Sequence, residues 1–458
     1  MMETLRRGAQ RIRTAVEKMP PTRMILLSFG IIILIGTLLL MLPVATRDGN
    51  GAPLETAFFT ATSATCVTGL VIEDTYTYWT LFGQLVLLVM IQLGGLGFMS
   101  VMIFALTFTK KKIGLRQRVT LQEAVGAPQV GGIVRMARFI LIGALAVEAV
   151  GAVALSFFFC PRAGIGRGIY FAVFHSVSAF CNAGIDLMGY FSPGSSLATA
   201  GTNPLLNWTM ITLILISALG FFVWADLIEN GLKWKKYRLH TKLVLVTTLI
   251  LFLGGSLGVF LLELGGTAMH DASLPEKLQY AVFQSVTCRT AGFATLDLTT
   301  LRESTQGLMI ILMLIGGSSG STAGGMKTTT VAVLLLSVLA VFRKRKSVEC
   351  FGRRMDEDLI HNACCVLMLY LTLMTTAAIA ISAIDAIPLV DAMFEASSAV
   401  ATVGLSLNRT AELGTISHLI LAALMFIGRV GGITILLSFN ARAGAPNSQY
   451  PAERITIG

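Results

Sequence analysis

The chain has 458 residues, of which 54% are hydrophobic and only 13% are charged, and its formal net charge is +10. This balance excludes an ordinary soluble domain and is typical of an integral membrane protein. The positive charge does not indicate nucleic-acid binding, because the basic residues are distributed over separate segments and not over one soluble face.

Eight apolar stretches are each long enough to supply the roughly 20 residues that cross a bilayer core. In chain order they are 24–43, 79–108, 133–159, 205–228, 242–264, 307–341, 361–383 and 415–439. We expect no cleavable signal peptide, because the first stretch is long, follows a basic tail and lacks a small-residue cleavage site. The sequence therefore predicts an all-α membrane protein with eight transmembrane helices.

Basic residues predict the orientation of these helices. The N-terminal tail and the connections 110–118, 233–242 and 343–354 together hold 22 of the 35 Lys and Arg residues, and each precedes an odd-numbered stretch. Since basic connections remain in the cytoplasm, we expect a multi-pass membrane protein with both termini cytoplasmic.

A segment that runs from a phenylalanine to a glycine occurs four times. The copies are FTATSATCVTG at 59–69, FHSVSAFCNAG at 174–184, FQSVTCRTAG at 283–292 and FEASSAVATVG at 394–404. Their glycines are 115, 108 and 112 residues apart, which indicates four copies of one structural unit. We predict a cytoplasmic tail at 1–23, repeats at 24–118, 119–240, 241–354 and 355–440, and a second cytoplasmic tail at 441–458.

Each repeat contains a long helix, a short helix, the glycine and a second long helix. The short helices, near 54–64, 169–180, 278–288 and 390–400, cannot cross the membrane, and the next long helix must start on the same outer side. Each short segment is therefore predicted to be re-entrant, and such backbone must be buried in protein or line a wet cavity. The predicted fold is four consecutive helix–re-entrant pore loop–helix repeats with pseudo-fourfold symmetry around a central pore.

The residues leading to the four glycines contain no ring of carboxylates. Backbone carbonyls are therefore the expected ligands, because glycine can adopt the conformation that turns them towards a monovalent cation. The fourth copy reads TVG, the start of the K⁺-channel filter TVGYG, but the tyrosine and second glycine are absent, which predicts weaker discrimination. Ordinary loop turns are the alternative, and four matched positions argue against it. The candidate K⁺-binding residues, here called the glycine segments, are Val67, Thr68, Gly69, Asn182, Ala183, Gly184, Thr290, Ala291, Gly292, Thr402, Val403 and Gly404.

The sixth apolar stretch contains too many glycines and hydroxyls to form one continuous helix. Glycine costs about 1 kcal/mol relative to alanine within a helix, so we predict a break that lines the pore and acts as a gate. A passive kink is the alternative. The candidate gate consists of the glycine-rich loop, Gly316, Gly317, Ser318, Ser319, Gly320, Ser321, Thr322, Ala323, Gly324 and Gly325, with Lys327 and Arg429.

A separate prediction applies to each of three basic side chains near these sites. An arginine within the membrane costs roughly 2.5–3.5 kcal/mol, so Arg429 is predicted to bond the glycine-rich loop and hold the gate shut, a plain structural role being the alternative. Lys327 is expected to extend towards the cytoplasmic interface. Arg289 is expected to point behind the third glycine segment, towards Glu395 or Glu55.

Two motifs formally resemble enzyme signatures. Residues 316–320 match G-x-S-x-G, but no strand precedes them and no partner histidine is evident. Residues 324–328 lack the adjacent Gly-Lys of a phosphate-binding loop, and the seven cysteines show no metal spacing. The sequence therefore predicts no catalytic residues, no enzyme activity and no metal site other than K⁺ on carbonyls.

The four repeats, the TAGF of the third copy and GGSSGSTAGGMKTTT after it resemble the Trk/Ktr/HKT superfamily of K⁺ transporters, most closely the KtrB-type membrane subunit. The resemblance extends over 23–439 and points to the same glycine-rich loop as the gate. It implies a homodimer in a prokaryotic plasma membrane, with K⁺ as substrate and no cofactor on this chain. It also implies a cytosolic octameric ring of KtrA-type (RCK/KTN) subunits that bind a nucleotide, ATP/ADP or NAD. TrkH-type relatives carry two extra N-terminal helices, for which this 23-residue tail has no room.

Two other classes of function remain open at this stage. A secondary active symporter would couple K⁺ to Na⁺ or H⁺, but such proteins usually have inverted repeats, and only Glu148 and Glu263 lie clearly within first helices. A membrane scaffold without conduction would leave the four glycine segments unexplained. The leading prediction is K⁺ uptake through a carbonyl-lined filter with a regulated gate.

Overall fold

The computed structural model describes residues 20–97, 119, 122, 132–270, 272–345 and 347–431. The regular secondary structure in these ranges is helical, apart from one antiparallel pair of short strands, β1 Glu349–Cys350 and β2 Arg353–Arg354. The predicted C-terminal tail, most of the N-terminal tail, the basic connection 110–118 and the ends of the second and eighth apolar stretches lie outside the described residues.

Four times in chain order, a long helix is followed by a helix that ends at a glycine segment and then by another helix. The first helices are α1 Pro21–Leu40, α4 Ile133–Ala163, α8 Leu239–Glu263 and α12 Glu357–Asp385. The loop helices are α2 Leu54–Cys66, α5 Ile165–Cys181, α9 Leu274–Thr287 and α13 Leu389–Val400. The second helices are α3 Leu81–Leu96, α6 Pro204–Leu219, α10 Glu303–Leu314 and α14 Thr415–Val430.

Shorter elements complete the described structure. Helices α7 Phe221–Asn230 and α11 Thr328–Phe342 follow α6 and α10, and a single helical turn occupies Thr75–Tyr78. The 3-10 turns are Pro43–Ala45, Met188–Tyr190, Ala198–Ala200, Trp234–Lys236, Leu298–Thr300 and Thr410–Glu412.

The lengths of the described helices can be compared with the eight predicted transmembrane stretches. Among the described residues, four helices, α1, α4, α8 and α12, are long and apolar enough to cross a membrane, or five spans if α6 and α7 count as one. The predicted fourth span is not continuous, because α6 and α7 meet at an angle of 89° at Gly220. The sixth stretch is interrupted where a break was predicted, since residues 315–327 between α10 and α11 are not helical.

The loop helices begin where the sequence provides start signals. Pro53 and Pro388 occupy the N-cap positions of α2 and α13. Helix α9 begins with a capping box in which Ser273 and Glu276 satisfy each other's backbone N–H groups. The carboxyl ends of all four helices lead directly into the glycine segments.

The helices form a closed ring. Each second helix packs against the loop helix of the next repeat, α3 on α5, α6 on α9 and α10 on α13, and α14 packs back on α2. The carboxyl-terminal halves of the loop helices are buried, whereas the first helices leave most of their apolar surface exposed. This distribution suits a protein whose polar backbone lies inside and whose outer surface meets lipid.

Candidate functional site

The four glycine segments share an unusual backbone conformation. A residue with positive φ lies two positions before each glycine, and each glycine also has positive φ. Such angles are uncommon for residues other than glycine, so their recurrence at one position shows that all four segments follow the same path. The four residues and their φ values are Val67 at 57°, Asn182 at 59°, Thr290 at 73° and Thr402 at 53°.

The four glycines face one another in a ring. A Cβ atom added at Gly69 would lie 2.6 Å from the Ala183 carbonyl oxygen, and one at Gly184 would lie 2.8 Å from the Cα of Gly292. A Cβ at Gly292 would collide with the Val403 carbonyl, and one at Gly404 would collide with the Thr68 carbonyl of the first segment. The structure thus brings all twelve candidate K⁺-binding residues together, with backbone atoms of one segment against those of the next.

Hydroxyl groups of the loop helices hold these segments from behind. Ser63 and Ser398 accept hydrogen bonds of 3.0 Å from the N–H groups of Gly69 and Gly404. Ser178 donates to the Ile185 carbonyl and Thr287 to the Phe293 carbonyl, both at 2.6 Å. The sequence analysis did not include these four residues. A signal was present, since a hydroxyl lies six residues before the glycine in three copies and five in the shortened copy.

A cavity of about 510 Å³ lies over one side of the ring and is lined by all four glycines. The residues that follow the glycines form its wall, and several of them are acidic. Carboxylates around a cleft raise the local concentration of cations. The acidic residues of the wall, also absent from the sequence-based candidates, are Glu73, Asp74, Asp186 and Asp297.

The glycine-rich loop lies against the opposite side of the ring. Asn182 of the second glycine segment donates to the Thr322 hydroxyl at 3.0 Å, and a Cβ added at Gly324 would collide with the Thr402 hydroxyl. Two backbone hydrogen bonds tie the loop to the break between α6 and α7, from Ser318 N to Ala218 O at 2.9 Å and from Phe221 N to Gly320 O at 2.7 Å. The loop therefore contacts glycine segments two and four and the bend at Gly220.

Two basic side chains cross-link this loop. The guanidinium of Arg429 donates to the carbonyls of Thr322, Gly94 and Gly95, the last at 3.0 Å, and so joins α14, the loop and α3. Lys327 does not extend towards the interface as expected from the sequence. Its ammonium group turns back to the carbonyl of Ala323 at 2.6 Å, because the loop presents carbonyls that no helix hydrogen bond satisfies.

The structure does not support the expected partners of Arg289. Its side chain is 2% exposed, and its Nε and Nη2 atoms have no hydrogen-bond partner. Among the described residues, Glu395 bonds Ser406, Leu407 and Thr410, and Glu55 bonds Thr415 and His418. Both carboxylates are therefore committed elsewhere, and the pairing inferred from sequence was wrong.

Glycines of two second helices allow a close approach to the ring. A Cβ at Gly94 would collide with the Thr65 carbonyl, and one at Gly428 would collide with the Val400 carbonyl. Both carbonyls belong to the residue four positions before a segment glycine. At both positions the missing side chain lets a second helix approach the backbone of a loop helix closely.

The match to known proteins agrees with this geometry. Residues 12–449 match the family TrkH, described as a cation transport protein. The chain belongs to the TrkH family. Two similar relatives are the potassium/sodium uptake protein NtpJ of Enterococcus hirae, 38% identical over 96% of this chain and 98% of that protein, and the Ktr system potassium uptake protein B of Bacillus subtilis, 37% identical over 96% and 97%.

A solved structure shares the fold of this TrkH-family chain. The crystal structure of the potassium transporter TrkH from Vibrio parahaemolyticus superposes with a TM-score of 0.69 at 20% identity, covering 90% of this chain and 84% of that one. Within the described part of the chain, no group of three or more His, Cys, Asp or Glu residues is arranged to hold a metal ion.

Proposed function

We propose that this chain carries K⁺ into a prokaryotic cell through the ring of glycine segments, which acts as a selectivity filter. The observation that carries the proposal is the closed ring itself: four glycines with positive φ, each against the backbone of the next segment. Such a backbone can present carbonyl oxygens to a dehydrated monovalent cation. The relatives named as potassium uptake proteins support K⁺ as the substrate.

The electrostatics of the ring favour a cation. The carboxyl ends of four helices meet there, and each helix carries about half a negative charge at that end. The acidic wall of the outer cavity would concentrate cations above the ring. The helices would therefore stabilise the ion without a carboxylate that would bind it too tightly for rapid passage.

The glycine-rich loop is the proposed gate, with Arg429 as its latch. The loop lies directly beneath the ring, and Arg429 ties it to two second helices. The positive charges of Arg429 and Lys327 would also oppose a K⁺ ion leaving the ring towards the cytoplasm. Opening would require the loop to leave Thr402 and Arg429.

Control of this gate is proposed to come from a cytosolic nucleotide-binding ring beneath a homodimer of this chain. Two relatives are named as components of Ktr systems, which supports a separate regulatory subunit. The connection 343–354 is a candidate contact, because it forms the basic hairpin β1–β2 and its Phe351 packs against Trp234. These features would present a defined basic surface on the cytoplasmic side.

Ion flux in proteoliposomes tests the proposal. We expect the purified chain to conduct K⁺ and Rb⁺ faster than Na⁺, and a KtrA-type ring with ATP to increase K⁺ flux. Empty liposomes and the ring alone serve as controls. A chain that moves no K⁺ with or without the ring would contradict the proposed function, whereas K⁺ flux that ignores the ring would contradict only the proposed regulation.

A further inference from the structure

The fourth residue of every second helix is a buried polar side chain. Helices α3, α6, α10 and α14 begin at different distances from their glycine segments, yet this position is polar in each. The position lies where a second helix meets the loop helix of the next repeat, a contact that we call a seam. The four residues are Gln84, Asn207, Gln306 and His418.

Each of these side chains bonds a backbone carbonyl in the loop that precedes its own helix. That loop leads away from the glycine segment, so the bond connects the second helix to the outer part of the filter region. The hydrogen bonds run from Gln84 to Trp79 at 2.9 Å, Asn207 to Gly201 at 2.5 Å, Gln306 to Leu298 at 3.2 Å and His418 to Thr410 at 2.7 Å.

Three seams also carry a bond to the next loop helix. Tyr170 donates to Gln84 at 3.0 Å, Gln279 donates to the Gly201 carbonyl at 3.0 Å, and Glu55 lies 2.6 Å from Nδ1 of His418. These three partners share one position, 14 residues before the segment glycine in the first two copies and 13 in the shortened third. The fourth copy has Val390 there, which cannot form such a bond.

The seam between the fourth and first repeats is ionisable. Nδ1 of His418 faces the Glu55 carboxylate, and Nε2 faces the Thr410 carbonyl. Both partners accept hydrogen bonds, whereas a neutral imidazole has only one N–H to donate. The two bonds therefore require the imidazolium form, and both form together only while His418 holds its second proton.

The seam is connected to the filter through Glu395. The hydroxyl of Thr410 donates to Glu395 at 2.7 Å, and the other carboxylate oxygen of Glu395 accepts from Ser406 Oγ at 2.6 Å and Leu407 N at 3.0 Å. Ser406 lies two residues after Gly404. Movement of the Thr410 carbonyl away from His418 would therefore be transmitted to the fourth glycine segment.

We propose that His418 and Glu55 are positioning residues for ion selection, and that the proton on His418 makes K⁺ selectivity depend on the pH outside the cell. The proposal rests on the proposed function of the ring as a filter. It extends that function to the bond between His418 and Glu55, which connects the fourth repeat to the first.

Other charged groups near this seam have partners of their own. Asp385 accepts from Gly414 N at 3.1 Å, and Arg409 pairs with Asp391 at 2.9 Å and Glu412 at 3.0 Å. Hydrogen bonds with Glu412 and Asp391 raise the pKa of Arg409, so it stays charged. In the described part of the chain, Glu55 is the one ionisable side chain bonded to the imidazole.

The test is the K⁺/Na⁺ permeability ratio of the full-length protein in proteoliposomes as the outer pH rises from about 5 to about 8. We expect the ratio to fall about tenfold as the charged hydrogen bond to Glu55 is lost. Glu55→Gln should keep a high ratio throughout, because an amide can donate to a neutral Nδ1. His418→Leu, which removes both bonds, should give a low ratio at every pH.

Comparison of the unaltered protein with Glu55→Gln separates the effect of this seam from the effects of other titrating groups. Any pH dependence caused by the carboxylates of the outer cavity would persist in Glu55→Gln and can be subtracted. A constant ratio in the unaltered protein, or an identical pH profile in Glu55→Gln, would overturn the proposal. Absence of K⁺ flux at every pH would instead contradict the proposed function. Glu55→Gln keeps the hydrogen bonds and so supplies the test even if His418→Leu does not fold.

Discussion

A side chain in place of Gly404 has no space, because its Cβ would collide with the Thr68 carbonyl and the glycine has a φ of 93°. Gly292 is equally enclosed by Val403 and Gly404. A non-glycine residue in a strained conformation costs of order 1–3 kcal/mol, and relief would move carbonyls that face the ion. We therefore expect Gly404→Ser and Gly292→Ser to lower the K⁺/Na⁺ permeability ratio about tenfold.

Gly254→Ser on α8 is the matched control, because an added Cβ there meets no atom within 4 Å. It should leave the permeability ratio unchanged, because it makes the same chemical change at a position with room for the added atoms. Potassium and sodium fluxes measured in the same vesicles would give the ratio directly. Equal ratios in Gly404→Ser and Gly254→Ser would show that the ring does not select ions.

For individual residues, the sequence predicted which positions cluster but not which partner each side chain bonds. The four glycines were predictable because they recur at matched spacing, and the structure brings them into one ring. The partners of Arg289 were not, because Glu395 and Glu55 are taken by Thr410 and His418 from a different part of the chain. Such competition between partners depends on the assembled fold and leaves no local pattern.

Among the larger elements, the glycine-rich loop and α14 are joined chiefly by one side chain. Arg429 donates to the carbonyl of Thr322 in the loop and to those of Gly94 and Gly95 on α3. A hydrogen bond to a charged group contributes about 1.5–3 kcal/mol. If these bonds hold the loop beneath the ring, Arg429→Ala should raise K⁺ flux without the regulatory ring about tenfold and reduce the further increase caused by nucleotide.

Arg429→Lys distinguishes geometry from charge. A lysine keeps the positive charge but lacks the planar fork that spans the loop and α3, so flux should lie between those of the original and alanine proteins. Arg162→Ala serves as a control, because Arg162 bonds the Phe158 carbonyl at the end of α4. Unchanged flux and unchanged nucleotide dependence in Arg429→Ala would disprove the latch.

Of the two broken helices, only one was predictable from its sequence. Residues 316–325 contain enough glycines and hydroxyls to prevent a helix by local preference alone. The bend at Gly220 depends on a single glycine with a φ of 88°, and it is stabilised by hydrogen bonds from the distant loop. The contact with the glycine-rich loop, which is distant in sequence, thus decides whether the helix continues through Gly220 or bends there.

The whole molecule is organised by the cyclic order of its repeats. Contacts between consecutive repeats are close in sequence, but closing the ring requires α14 to meet α2 across almost the entire chain. The repeat spacing predicted four equivalent units, and the charge pattern predicted their common orientation. Neither pattern could predict that the three bonded seams differ chemically. The equivalent position of the loop helix is tyrosine, glutamine or glutamate, depending on the repeat.

This cyclic arrangement also separates a channel from a coupled symporter. The two buried acids considered for coupling bond neighbouring side chains, Glu148 with Gln92 at 3.0 Å and Glu263 with Thr305 at 2.6 Å, and Glu148 also accepts a bond of 3.9 Å from Cys181, the residue before the second glycine segment. We nevertheless expect passive passage of K⁺, because the four repeats have the same order of helices along the chain, whereas coupled transporters usually have inverted repeats.

With equal K⁺ on both sides and the membrane potential held at zero, an inward tenfold gradient of Na⁺ or H⁺ should produce no net K⁺ accumulation in proteoliposomes containing this chain. A permeant lipophilic ion can hold the potential, and internal K⁺ can be followed with a fluorescent indicator. A symporter with a fixed coupling stoichiometry would instead concentrate K⁺ inside the vesicles. The gradient of the coupling ion would supply the driving force, since no K⁺ gradient is present at the start. Accumulation of K⁺ that disappears when the Na⁺ or H⁺ gradient is removed would therefore show that the protein is a symporter and not a channel. This conclusion would hold whatever the ion selectivity of the ring.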